Sequence, residues 1–336
     1  MKKWAVALMA GLLLLSGCSN NEKVNDPAKK DKQVTKVKEK AEDKNPLPYT
    51  FPLTGKASAT KTDGRAVAVM VNNHPKARPQ SGLNKADIVY ELLAEGDITR
   101  FLAVFQSERP ENIGPVRSAR AYYIELAKGL NAFYIAHGYS PEAKEMLENG
   151  SIDNINGMVY DGTLFQRASF RVAPHNSYIT YENVLKGAKQ NNYSMDKNPP
   201  AFKFMTEKAS EKLTGNEAKS VMISYSSSHI SDSTFEYDAS AHKYKRFSGG
   251  EQTVDLETKE PILVDNIFII ETVHQVVDSA GHNEIDLKSG GKAYLLQLGK
   301  VNEVDWKNED GKIIPVKNGE VVPLVHGNYL VIVFCR

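Results

Sequence analysis

The chain has 336 residues, and its 42 Lys and Arg against 41 Asp and Glu leave a formal net charge of +1. So even a balance excludes the large basic excess by which nucleic-acid binders hold a phosphate backbone, and no nucleic-acid partner is expected. The length is enough for a sizeable hydrophobic core without covalent staples, and only two cysteines, Cys18 and Cys335, are present.

The amino terminus reads MKKWAVALMAGLLLLSGCSN, with Lys2 and Lys3 ahead of an apolar run from Trp4 to Leu15. That run is shorter than the ~20 residues needed to cross a bilayer, so residues 1–17 read as a signal peptide. Leu15-Ser16-Gly17-Cys18 resembles the bacterial lipobox, which implies cleavage before Cys18, a diacylglycerol on its sulfur and acylation of the new amine. Each buried methylene contributes ~0.8 kcal/mol, and two or more acyl chains hold where one is marginal. The expected location is therefore the extracytoplasmic face of the cell membrane, with the lipid anchor as membrane partner. With Cys18 alkylated, Cys335 has no intramolecular disulfide partner. The stretch NNEKVNDPAKKDKQVTKVKEKAEDK within 18–45 is nearly all charged or small polar, which predicts a disordered tether reaching roughly 30 Å.

Beyond the tether, AVAVMVNN (66–73), DIVYELLA (87–94) and RFLAVFQS (100–107) are strand-length apolar runs, the last two joined by a turn short enough for a hairpin. A helix is expected from about Ser118 to Leu130, FYIAHG (133–138) as a strand, SPEAKEMLENG as a helix begun by Ser140, and TYENVLKGAKQ as another helix. Pro199 and Pro200 mark a connector. After it come strand-like runs at 221–226, 233–238, 242–249, 266–276, 292–299 and 328–334, with FEYDASAHKYKRF as a hairpin. The expectation is α+β: a mixed α/β domain with a central sheet over 46–195, then a mostly β domain over 196–336.

No HExxH, CxxC, glycine-rich phosphate loop or GxSxG occurs in the chain. Ser118, in Arg-Ser-Ala-Arg, reads as a helix N-cap ahead of a nucleophile. The histidines are scattered without metal-ligand spacing, so no metal or cofactor is expected. Magnesium would enter only with a phosphorylated ligand. What remains is cationic: Arg100, Arg117, Arg120, Arg171, His137 and His175, all in or beside turns, with Arg167 nearby. A helix N-terminus repels cations and welcomes anions. Arg117 and Arg120 there require either an acid, with Glu91, Glu95 and Asp97 available, or an anionic ligand.

The lipobox, AVMVNNHPKARPQSGLNKADIVYELLAEGDITRFLAVFQ, IGPVRSARAYY, AHGYS, DGTLFQR and RVAPHN, followed by a β-rich part, together resemble the YerB-like lipoproteins of Firmicutes, a two-part family of unknown function. The resemblance implies an uncharacterised envelope lipoprotein and brings no catalytic residues with it. A fainter similarity, confined to IGPVRSAR, is to the LytR-Cps2A-Psr phosphotransferases. Two readings follow: a non-catalytic binder of a cell-wall polymer, lipid-linked precursor or envelope protein, and a phosphoryl or glycosyl transferase acting on lipid-pyrophosphate-linked precursors.

Overall fold

A computed structural model describes residues 47–335 apart from residue 280. The signal peptide, Cys18 and the tether lie outside the described residues. The strands that matter are β1 (Val67–Asn72), β2 (Ile88–Leu93), β3 (Thr99–Phe105), β4 (Phe133–Ala136), β5 (Asn154–Asn156), β6 (Ser220–Ile223), β7 (Ser233–Asp238), β8 (Lys243–Ser248), β9 (Asn266–Thr272), β10 (Gly291–Gln297), β11 (Lys300–Glu309), β12 (Lys312–Lys317) and β13 (Tyr329–Cys335). Three helices are long enough to pack: α1 (Ala121–Gly129), α2 (Pro141–Glu148) and α3 (Tyr181–Gln190). The α+β expectation holds, with these three helices in the first part and strands dominating the second, where a four-residue helix, Glu207–Ser210, also occurs.

One sheet runs through both parts, in the order β12-β11-β10-β9-β13-β2-β3-β1-β4-β5. Its middle is parallel, β13 pairing with β9 on one side and β2 on the other. β1, β4 and β5 are also mutually parallel, while β2 and β3 form the expected antiparallel hairpin. β1 is buried along its whole length because both faces are covered. Ala68 and Met70 pack under α1 and α2, whereas Val67, Val69 and Val71 face Val184 and Ala188 of α3. Side chains that alternate across a strand require two apolar layers, which is why the run is continuous.

On the α3 side, the small sheet built from β6, β7 and β8 covers the second half of the large one. Phe235 and Tyr244 pack there against Ile267, Leu330 and Ile332. α1 reaches across to the turn between β11 and β12. A Cβ on Gly129 would lie 2.2 Å from the Gly311 carbonyl carbon, so that contact requires glycine on the helix.

The sequence reading needs correction at the start of α1 and in the strands that it did not anticipate, β5 among them. α1 begins at Ala121, with Arg120 at the cap position in extended geometry (φ −134°) and no side-chain cap. Ser118 is therefore not the N-cap; its hydroxyl donates instead to the His137 carbonyl at 3.3 Å. β11 and β12 were not anticipated, because β11 buries only Val304 and Trp306 between exposed Glu303, Asp305 and Lys307. Ser140 caps α2 as expected, and Thr180 caps α3.

His274 begins a short hairpin with Asn283–Ile285. Neither of its ring nitrogens has a hydrogen-bond partner among the described residues, and burial pushes its pKa down to about 4. An unfolded histidine titrates near 6.5, so the unfolded chain takes up this proton first. The stability linked to neutral His274 is complete above about pH 6.5 and is lost as pH falls through about 4. His274→Met should flatten the decline of melting temperature across that window; a decline as steep as in wild type would remove His274 from the account.

Candidate functional site

Because β1, β4 and β5 are parallel, the loops that follow them leave from one edge, and ligands of open sheets favour the carboxyl ends of such strands. β3 runs the other way and starts at this edge, with Arg100 opposite Asn72. The site is built outward from Asn72, the last residue of β1. Its Oδ1 accepts the His74 backbone N–H at 2.9 Å, which fixes the amide orientation. Its Nδ2 must then donate to His175 Nδ1, at 2.9 Å. His74 Nδ1 accepts the Lys76 backbone N–H at 3.1 Å, so both imidazoles carry their ring proton on Nε2. The rings lie 4.5 Å apart at 32°.

Burial lowers the pKa of both histidines, and neighbouring cations lower it further. Lys76, Arg78 and Arg117 act on His74, while His74, Arg117, Lys76 and Arg171 act on His175. The rim is thus electropositive even with both rings neutral. Arg117 stands beside them, its backbone tied to Met70 and His137 at 2.9 Å each. Its guanidinium has one long contact, to the Pro174 carbonyl at 3.4 Å, and its Nε has no partner among the described residues. It forms no ion pair there either, and burial lowers its pKa.

The other predicted cations are arranged differently. Arg100 and Arg120 are both buried and both pair with Glu95, from the turn of the β2–β3 hairpin. Glu95 is thus the acid that compensates Arg120 beside α1. Arg171 donates to the Tyr178 hydroxyl at 2.5 Å and the Pro79 carbonyl at 2.6 Å, and lies over the Phe170 ring. Arg167, paired with Asp161 at 2.8 Å, donates to His137 Nε2 at 2.9 Å. A guanidinium can only donate, so His137 carries its proton on Nδ1 and gives it to Ser177 Oγ at 2.7 Å. His137 therefore orients Ser177 and does not act as its base. The ring packs so closely on Gly157 that a Cβ there would fall 2.1 Å from Nδ1.

The structure thus brings together Arg117 and His175, with Arg171 next to them, while Arg100 and Arg120, within electrostatic reach of Arg117, are engaged by Glu95. His74, Asn72 and Lys76 were missed; the signal was NNHPKARP, where a histidine directly precedes a proline-started turn. The rim also carries exposed apolar side chains, Met158 (61%), Val159 (75%), Phe170 (64%) and Val172 (81%). Beside Phe170 a cavity of about 470 Å³ is lined by Arg167, Tyr178 and Glu257 among others. Among the described residues no three His, Cys, Asp or Glu side chains are placed to hold a metal ion.

Residues 53–194 match the family described as "Protein of unknown function (DUF3048) N-terminal domain", and residues 221–331 match its C-terminal domain. The chain belongs to the DUF3048 family. A relative from Bacillus subtilis (strain 168), named "Putative lipoprotein YerB", is 45% identical over 331 residues, covering 97% of this chain and 94% of that protein. The crystal structure of YerB protein from Bacillus subtilis superposes with a TM-score of 0.80 at 46% identity, covering 85% of this chain and 96% of that one. In this DUF3048 chain the two matched segments share the central sheet, which takes β1 to β5 from the first and β9 to β12 from the second. The cationic rim lies in the first.

Proposed function

We propose that the protein is a lipid-anchored envelope protein that captures a phosphate-bearing ligand, a wall polymer or a lipid-linked precursor, between Arg117, His74 and His175. The observation that carries this reading is Arg117: a half-buried guanidinium in no ion pair among the described residues, on which Glu95 acts only at a distance, beside two imidazoles whose Nε2–H groups are fixed as donors. Guanidinium forks hold phosphate bidentately, and neutral N–H donors complete its coordination. Arg100 and Arg120, both already engaged by Glu95, are not free to act on a transferred group, which supports binding over group transfer. The lipid anchor is supported by the Leu15–Cys18 motif and by the name of the Bacillus relative.

Two measurements test it. Cys18→Ala should move the protein out of the membrane fraction, and unchanged partitioning into detergent would remove the anchor. Phosphate, pyrophosphate or teichoic acid fragments should raise the melting temperature of the wild type. Arg117→Lys should keep the fold and lose about 1.5–3 kcal/mol of binding for each charge-assisted bond broken, roughly a ten- to hundredfold weaker Kd. A wild type that none of these anions stabilises would end the proposal.

A further inference from the structure

The four exposed apolar residues of the rim sit on two segments only. Met158 and Val159 belong to the turn after β5, while Phe170 and Val172 belong to the loop between the strands Phe165–Arg167 and Ser177–Thr180. That loop is closed at its base, where Ala168 N–H meets the Asn176 carbonyl at 2.8 Å. The two segments are linked through Arg167, which contacts both Asp161 and His137. The loop is linked to the anion site through His175, whose N–H donates to the Val172 carbonyl at 3.0 Å. Protruding apolar side chains and unneutralised cations therefore share one edge. Of the nearby acids, Asp161 is engaged by Arg167, and Glu257, which accepts from the neutral Ser81 hydroxyl at 2.8 Å, keeps its charge and offsets only one of the several cations.

Scattered surface hydrophobics are ordinary, but these are large, clustered and ringed by positive charge. Val172, at 81% exposure, protrudes from the surface, while Phe170, at 64%, stands at the edge of the cavity that it lines with Tyr178 and Glu257. Protruding groups fit a yielding medium better than a rigid partner, and the surrounding Arg117, Arg171 and Lys76 require negative charge opposite them. An anionic bilayer provides both, with phosphates at headgroup depth and hydrocarbon a few ångströms below.

We propose that this edge is a membrane-docking face, on which Phe170 and Val172 enter an anionic lipid surface while Arg117, Arg171 and Lys76 meet the headgroup phosphates. It relies on the proposed anchor only for proximity. A lipid on Cys18 and a contour of up to ~3.4 Å per residue between there and Leu47 allow any face of the folded part to reach the bilayer. A tethered face needs only weak affinity of its own, because tethering raises its effective concentration. Docked this way, the mouth of the anion site opens at the depth where lipid-linked phosphates lie.

The test uses the mature chain from Cys18 to Arg336, made without its leader and so unacylated, sedimented with vesicles. Binding is expected to equimolar phosphatidylglycerol and phosphatidylcholine, to fall on raising salt, and to be at least about tenfold weaker to phosphatidylcholine alone. Phe170→Ser combined with Val172→Ser, both exposed, should leave the melting temperature unchanged and weaken vesicle binding by about tenfold or more. Equal binding by wild type and this double variant overturns the docking face, as does no binding to the mixed vesicles. A wild type that phosphate stabilises but vesicles do not capture keeps the anion site and removes the docking face. Vesicle capture without stabilisation by any soluble anion does the reverse.

Discussion

Glu91→Ala is expected to cost about 3–5 kcal/mol of stability, the range found when one partner of a buried ion pair is removed. Glu91 lies on β2 with no solvent exposure, and its partner Arg246, on β8, is 3% exposed. Arg246 Nη2 reaches both carboxylate oxygens at 3.1 Å, and the Thr99 hydroxyl and Asn73 amide donate to the same carboxylate at 2.9 and 3.2 Å. Deletion of the carboxylate leaves a guanidinium buried between the large and small sheets and facing Phe101. At a few degrees per kcal/mol for a domain of this size, the melting temperature should drop by roughly 10 °C. Glu91→Leu with Arg246→Met removes both charges and should recover much of that loss. If the single variant melts within a degree or two of wild type, the pair does not join the two sheets.

Glu95→Ala should be the next most damaging change, by about 3 kcal/mol, because it strands two guanidiniums at once. Arg100 and Arg120 are 4% and 6% exposed, and burial and the neighbouring Arg120 already press the Arg100 pKa down to about 10. The Glu95 side chain keeps 27% exposure, so water offsets part of the loss and the low end of the range applies. Stabilisation by phosphate should survive this substitution and even grow, since Glu95 forms no ion pair with Arg117 and its removal leaves the site more positive. If Glu95→Ala abolishes the phosphate effect and leaves stability intact, Arg100 and Arg120 belong to the ligand site after all.

These two carboxylates show where the sequence stopped being readable. Glu91, Glu95 and Asp97 were equally available to the arginines beside α1, and only strand register separates them. Along β2 side chains alternate, so Glu91 faces β8 across the sheet. Glu95, in the turn, bends back toward α1. The β1, β2 and β3 runs were legible because two-sided burial writes itself as an unbroken apolar string. β11 was not, since a strand half in water shows only Val304 and Trp306 among charges. Ser118 was misread because Ser-Ala-Arg before an apolar run fits a cap, and only the structure shows the helix starting three residues later. His74 and His175 are about a hundred residues apart in the sequence, and their ring contact depends on Asn72 at the end of a strand, which no spacing rule encodes.

The position of β13 has a consequence for the order in which the molecule can be made. Its residues pair with β2 on one side and β9 on the other, matching Tyr329 with Ile88 and with Asn266. A ribosome delivers residue 88 long before residue 329. Until then β2 and β9 each present an open, strongly apolar edge, the kind of edge that recruits other chains. The seam of the sheet is thus synthesised after both of the half-sheets that it joins, and long-range pairing of this sort closes slowly. A nascent chain interrupted before residue 329 would lack the strand that joins its two half-sheets, leaving two exposed edges where the folded sheet is continuous.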